Sequence, residues 1–342
     1  MSTRRLPARR LLAALLVALP AAGCMMGEGF VTGATVPDQP LTKSVAARPP
    51  LLVATTRKPV SGNASTAPFF GSERGRGLTF AEARIAGPDT SLIGKVSSVV
   101  TGDWSVTGVE KAQRGPEAAK AFADAAFGRD VLVYVHGYRE SFESAAASAA
   151  QLADGIKFRG AAALFAWPSA GGTLDYGYDR ESALWSRDAF EDLLAAGLQS
   201  PSGGRVFVVA HSMGTLLTLE ALRNLRSRVG EAGMAKLGGV VLASPDIDID
   251  LFTGGVERLG ADAQKITVIS STSDRALALS SRIAGGVVRA GAADRARLEE
   301  LGVRVADATD YGGGLVNHDL FLSNPEVLGV VKRAVERAGG GA

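Results

Sequence analysis

Short, almost wholly apolar runs recur along the chain at 131–135, 161–166, 206–210, 240–243, 266–269 and 303–306. Runs this brief, without polar alternation, are the mark of strands buried on both faces. Between them lie Ala- and Leu-rich stretches with helical spacing, notably 141–152, 182–198, 215–229 and 326–338. Strand and helix alternating in this way predict an α/β fold, a mostly parallel sheet with helices on both faces. Ahead of that pattern, 51–56, 78–85 and 95–109 are rich in β-branched residues and predict antiparallel N-terminal edge strands.

The first fifty residues follow another pattern. Arg4, Arg5, Arg9 and Arg10 precede an apolar run from Leu11 to Leu19 that ends in small residues, which is the layout of an export signal. That run is short for a membrane-spanning helix. The segment Leu19-Pro20-Ala21-Ala22-Gly23-Cys24 resembles a bacterial lipoprotein cleavage box, although Ala21 stands where that pattern prefers Leu. The expectation is a signal peptide at 1–23, an acylated Cys24 and a Gly- and Pro-rich tether over 24–50, with the catalytic domain at 51–342. An ordinary cleaved signal with Cys24 as bystander is the alternative. The lipoprotein reading places the protein in the cell envelope, anchored at the periplasmic face of a bacterial membrane, by a twin-arginine or a general export route.

Composition narrows the function classes. In 342 residues, 37 Lys and Arg balance 35 Asp and Glu with no long basic run past the N-terminus, so nucleic acid is not an expected partner. Cys24 is the one cysteine, which excludes an intramolecular disulfide and a cysteine-based zinc site. No Gly-x-Gly-x-x-Gly follows a strand and no phosphate-loop Gly-Lys-[Ser/Thr] occurs, so neither nucleotide nor other cofactor is expected.

In open α/β sheets the chemistry gathers at the carboxyl ends of strands. After the strand at 206–210 comes Ala210-His211-Ser212-Met213-Gly214 and then a helix, which reads as a nucleophile elbow with Ala in the first glycine position. Such a turn tolerates only small residues two places to either side of the serine, raises the hydroxyl above the sheet and leaves the Met213 N–H free for an oxyanion. A serine that only caps a helix has the same local look. The strand at 131–135 runs into His136-Gly137-Tyr138, where Gly137 permits close backbone approach and the Tyr138 N–H is the candidate second oxyanion donor.

A serine needs a base, and there are only three histidines. His136 belongs to the oxyanion loop as a bracing residue, and His211 is expected to point away from Ser212, which leaves His318, placed after the last strand and before the last helix. The third member should be an acid lying between them in the chain. Asp274 follows the strand at 266–269 and is the expected acid, with Asp246 and Asp248 after the preceding strand as alternatives. The alternating aspartates at 246, 248 and 250 suggest a calcium loop, but Leu251 occupies its glycine position, so no metal site is expected. Trp167 and Ser169 are possible pocket residues, Trp167 being equally suited to the core, and 173–187 could form a small cap.

These motifs together resemble a family of bacterial α/β-hydrolases described as esterase/lipase-like. The resemblance covers most of 51–321 and rests on Val53-Ala54-Thr55-Thr56-Arg57, Ser72-Glu73-Arg74-Gly75, Val135-His136-Gly137-Tyr138, Trp167-Pro168-Ser169, the elbow, Pro245-Asp246-Ile247-Asp248 and Ser273-Asp274-Arg275-Ala276-Leu277. Tyr138-Arg139 departs from the usual Tyr-Asn. The resemblance implies the α/β-hydrolase fold and a triad, and little about substrate. The expected function is therefore a serine hydrolase acting on a small-molecule or lipid ester. Lipid acyl, thioester or amide hydrolysis or transfer on the same triad, or a non-catalytic envelope lipoprotein, are the alternatives.

Overall fold

The computed structural model describes residues 48–60, 67–88, 104–311 and 318–339. The expected export signal, Cys24 and the tether as far as 47 lie outside them, as do 95–103 and 312–317. Three strands come first, β1 (Leu51–Pro59), β2 (Phe70–Ala86) and β3 (Ser105–Arg114). They are followed by β4 (Val131–Val135), β5 (Ala161–Ala166), β6 (Val206–His211), β7 (Leu237–Ala243), β8 (Ile266–Ser270) and β9 (Arg304–Asp307). These nine form one sheet in the order β3-β2-β1-β5-β4-β6-β7-β8-β9. The β1–β2 and β2–β3 pairings are antiparallel, and every pairing from β1–β5 through β8–β9 is parallel. This is the α/β-hydrolase fold that the hydrophobic pattern and motifs predict.

The helices are α1 (Glu117–Ala125), α2 (Phe142–Gly155), α3 (Tyr176–Trp185), α4 (Arg187–Gln199) and α5 (Met213–Gly233). After them come α6 (Ile249–Glu257), α7 (Arg275–Ile283), α8 (Arg295–Glu299), α9 (Leu320–Ser323) and α10 (Pro325–Gly339). The apolar runs of β4 to β8 are explained by burial on both sides, whereas β9, at the sheet edge, is only partly buried and does not meet that expectation. Val131, Val133 and Val135 of β4 pack with Phe190 and Leu194 of α4 and Leu217 of α5, while Leu132 and Tyr134 pack with Leu152 of α2 and Val331 of α10. Each face of a strand meets its own layer, so no position is left for a polar residue.

Two elements differ from the sequence pattern. β2 begins at Phe70 because the polar Ser72–Gly77 stretch pairs with β1 across register shifts at Arg57. Gly75 makes that possible, since a Cβ there would lie 2.8 Å from the Arg57 carbonyl oxygen. The helix expected at 182–198 is two helices broken at Ser186. Its hydroxyl bonds back to the Ser182 carbonyl at 2.8 Å and meets Thr56 Oγ1 at 2.8 Å, an interaction that competes with the helix ladder.

Sheet order also fixes where chemistry can occur. From β4 the chain crosses to β5 on one side, whereas β6, reached later, lies on the other side, so a crevice opens at the carboxyl ends of β4 and β6. Val135 is level with Ala210 in the register, and the residues after both strands therefore face one another.

Candidate active site

Ser212 stands at that crevice, between the end of β6 and the first turn of α5. Its backbone has φ 50° and ψ −122°, a conformation costing a non-glycine residue about 1–3 kcal/mol and kept only where the surroundings over-determine it. They do so here. The Ser212 N–H donates to the Ala243 carbonyl at 2.9 Å, and the Ser212 carbonyl accepts from the N–H groups of Thr215 at 3.0 Å and Asp246 at 3.3 Å and from Thr215 Oγ1 at 2.5 Å. Gly214 is required two residues on, because a Cβ there would sit 2.3 Å from the His136 carbonyl oxygen. Ser212 is 4% exposed, and its hydroxyl has no hydrogen-bond partner among the described residues.

The turn after β4 comes up against the elbow. A Cβ on Gly137 would lie 3.1 Å from Ser212 Cβ and 2.9 Å from His211 Nδ1, so only glycine lets this backbone approach so closely. The N–H groups of Tyr138 and Met213 are unpaired among the described residues. His136 braces the turn from inside. Its Nδ1 lies 2.8 Å from the Gly137 carbonyl and its Nε2 3.0 Å from that of Trp167, and its ring stacks on Trp167 at 4.7 Å. Burial, helped by the Arg57 charge, lowers its pKa to about 3, so it is neutral at ordinary pH.

His318 and Asp274 meet, with His318 Nδ1 2.7 Å from Asp274 Oδ2. The other oxygen of Asp274 accepts from the N–H groups of Ala276 at 2.9 Å and Leu277 at 3.1 Å, capping α7. Both oxygens are thus engaged, and the carboxylate is held in one orientation. Burial works against a charge on His318, but the hydrogen bond and charge of Asp274, with Asp319 and Asp246 adding to them, prevail and raise its pKa above the ordinary value. His211 is buried behind this pair. Its Nε2 reaches the His318 carbonyl at 3.2 Å, and its ring lies 4.7 Å from that of His318 and 4.8 Å from Phe321. Burial and the neighbouring His318 push its pKa well down.

The alternative acids are occupied elsewhere. Asp246 Oδ1 accepts from Ser280 Oγ at 2.7 Å and lies 3.1 Å from Arg289 Nε, an ion contact without hydrogen-bond alignment, while its Oδ2 accepts from the Tyr176 hydroxyl at 2.9 Å. Asp248 caps α6 through the N–H groups of Asp250 and Leu251. Neither has a hydrogen bond to His318.

Of the two possible pocket residues, Trp167 follows its core alternative and Ser169 is corrected. Trp167 is fully buried and donates to the His136 carbonyl at 2.9 Å, so it belongs to the core. Ser169 is 2% exposed and turns its hydroxyl to Asp179 at 2.5 Å. The suggested cap over 173–187 is largely α3, whose Asp179, Ser182 and Ala183 are buried. Of its aromatic residues only Tyr176 reaches the crevice, touching Asp246 and the ring of Tyr138 at 5.6 Å. Tyr178 and Trp185 lie instead against Arg74 of β2. Asp179 and Arg289 escaped the sequence reading because nothing local distinguishes a buried charged group from a solvated one.

A family model described as an α/β hydrolase of unknown function (DUF900) matches residues 117–336. No curated protein matches the chain. Among solved structures, lipase B of Aspergillus fumigatus is 17% identical with a TM-score of 0.38, covering 66% of this chain and 58% of the lipase, so the chain spans less than two thirds of that protein. Est1E from Butyrivibrio proteoclasticus is 12% identical with a TM-score of 0.41, covering 76% of this chain and 94% of its own. A CIB-like hydrolase from Thermoplasma acidophilum is 12% identical with a TM-score of 0.37, covering 77% and 93%.

Proposed function

The chain belongs to this family of α/β hydrolases of unknown function, and from that premise we propose that it is a serine hydrolase of carboxylic esters with Ser212, His318 and Asp274 as its triad. The observation that carries the reading is the combination of a strained elbow serine with an imidazole fixed to a buried carboxylate at 2.7 Å. His318 Nδ1–H donates to Asp274, which leaves Nε2 as the basic nitrogen. With substrate bound, Nε2 accepts the Ser212 proton as Oγ attacks the acyl carbon. Catalytic hydrogen bonds often close only in that complex, and here the Ser212 hydroxyl has no other partner to give up.

The tetrahedral intermediate carries its charge on the former carbonyl oxygen. The Met213 and Tyr138 N–H groups serve as its donors, and the N-terminal end of α5 adds a favourable dipole. Collapse of the intermediate expels the alcohol, protonated by His318, and leaves an acyl-Ser212. A water activated by the same imidazole then releases the acid. The substrate is a small-molecule or lipid ester. As part of the same proposal the protein is exported and held at a membrane by acylated Cys24. Mass spectrometry of the mature N-terminus tests this: an unmodified Cys24 or a different cut contradicts it.

The triad is tested by turnover of a p-nitrophenyl short-chain ester. Ser212→Ala is expected to lose at least about 10³-fold in kcat, with a thermal midpoint close to that of the native chain because Ala keeps the Cβ and the backbone hydrogen bonds of the elbow. Retained turnover refutes the nucleophile.

A further inference from the structure

Three donors converge on one buried carboxylate in α3. Asp179, fully buried, accepts the Arg139 N–H at 3.3 Å and Ser169 Oγ–H at 2.5 Å on Oδ2, and the Ala170 N–H at 2.7 Å on Oδ1. All its partners donate, so the site calls for a group that only accepts, which an ionised Asp is and an Asn is not. The positive charge that balances it comes from Arg57, itself buried, whose guanidinium donates to the carbonyls of Glu140 at 2.6 Å, Gly71 at 3.1 Å and Ser169 at 3.5 Å. The acid thus takes the N–H groups, and the base the carbonyls, of the two segments 139–140 and 169–170.

The first of these segments directly follows the candidate oxyanion donor. Arg139 has φ 63°, a left-handed conformation that a non-glycine residue keeps only under constraint, and the bond from its N–H to Asp179 supplies one. The Tyr138 side chain is fixed as well, its hydroxyl meeting the carbonyls of Gly172 at 2.9 Å and Thr173 at 2.7 Å. With the peptide after Tyr138 and its ring both tied, the direction of the Tyr138 N–H is set by these anchors. We infer that Asp179 is a positioning residue for the oxyanion hole: its carboxylate locks the Tyr138–Arg139 peptide so that the Tyr138 N–H faces the place where the oxyanion forms. The inference rests on the proposed function, since it requires Ser212 chemistry to act upon.

The test pairs ester turnover with affinity for an aliphatic trifluoromethyl ketone, which captures a serine Oγ as a charged tetrahedral adduct. Rates are normalised to sites titrated with a fluorophosphonate, so that loss of folded enzyme does not enter. Complete loss of one oxyanion donor costs about 10²–10³-fold in kcat, so a donor left in place but misaimed by Asp179→Asn should cost about 10–100-fold. KM should stay within about threefold, and ketone affinity should fall in step with kcat, because both depend on the charged oxygen.

A variant whose kcat per titrated site and ketone affinity match the native protein overturns the inference while leaving the triad intact. A native chain that neither turns over esters nor takes the fluorophosphonate sinks both readings. If Asp179→Asn does not fold, Ser169→Ala decides. Removing the Ser169 hydroxyl takes one of three donors from the charged carboxylate, which should lower kcat and ketone affinity together by about tenfold, and an unchanged ketone affinity overturns the inference.

Discussion

Two aspartates that look alike in the sequence have different duties in the structure. Asp274 divides its oxygens between the cap of α7 and His318, whereas Asp246 is enclosed with Arg289, Ser280 and Tyr176. Their substitutions should therefore separate rate from stability. Asp274→Asn is expected to lower kcat by roughly 10³–10⁴-fold, because it presents the imidazole with the wrong partner. Asp246→Asn strands a buried guanidinium, so its main effect should be on folding, about 3–5 kcal/mol by denaturant titration. The reverse ranking would transfer the acid role to Asp246.

The same contact sets a pH dependence. His318 must be neutral to accept a proton, and its pKa is raised, so kcat/KM should climb with pH through a midpoint above the ordinary imidazole value of about 6.5. Asp274→Asn removes the largest of the effects that raise it and leaves burial, which lowers it, opposed only by Asp319 and Asp246, so the midpoint should move down. His318 was legible in the sequence because three histidines leave few alternatives, and Asp274 because chain order places an acid after β8. Asp179 and Arg289 were not. Their burial depends on partners as distant in the chain as Tyr176 is from Asp246, and no local pattern encodes that.

At the scale of elements, the elbow is the feature that sequence conveys best, since its demand for small residues is steric. Gly214 touches the His136 carbonyl across the crevice, so Gly214→Ala must push α5 away from β4. The expected cost is about 1–3 kcal/mol of stability, as for other overpacked sites, together with loss of most ester turnover. Unchanged melting and turnover would mean that the elbow is not held as described. Central strands were equally legible, because both of their faces are buried. The first half of β2 was not, for its polar residues are extended only by pairing with β1. The break between α3 and α4 depends on Ser186 meeting Thr56, which lies 130 residues away.

For the whole molecule, the three histidines make stability depend on pH in opposite directions. His136, with a pKa of about 3, and His211, pushed well below its ordinary value, bind protons in the unfolded chain below pH ~6.5 but not in the fold. Their contribution is present above that pH and declines as pH falls toward the folded values, by about 2 kcal/mol at pH 5 for His136. His318 has the opposite sign: its pairing contributes fully below pH ~6.5 and is lost as pH rises through its raised pKa. Two against one, the thermal midpoint should drop between pH 7 and pH 5. A midpoint that holds steady would mean that one of the buried rings is already charged in the fold.

The sheet brings Ser212, the Gly137 turn and the His318–Asp274 pair to one edge from segments far apart in the chain, and the account stands on that assembly making the serine reactive. Fluorophosphonate labelling followed by peptide mass spectrometry tests it without knowledge of the substrate. The account predicts one adduct, on Ser212, abolished by Ser212→Ala and slowed by His318→Ala. A native chain that remains unlabelled, or an adduct on another residue, would contradict it.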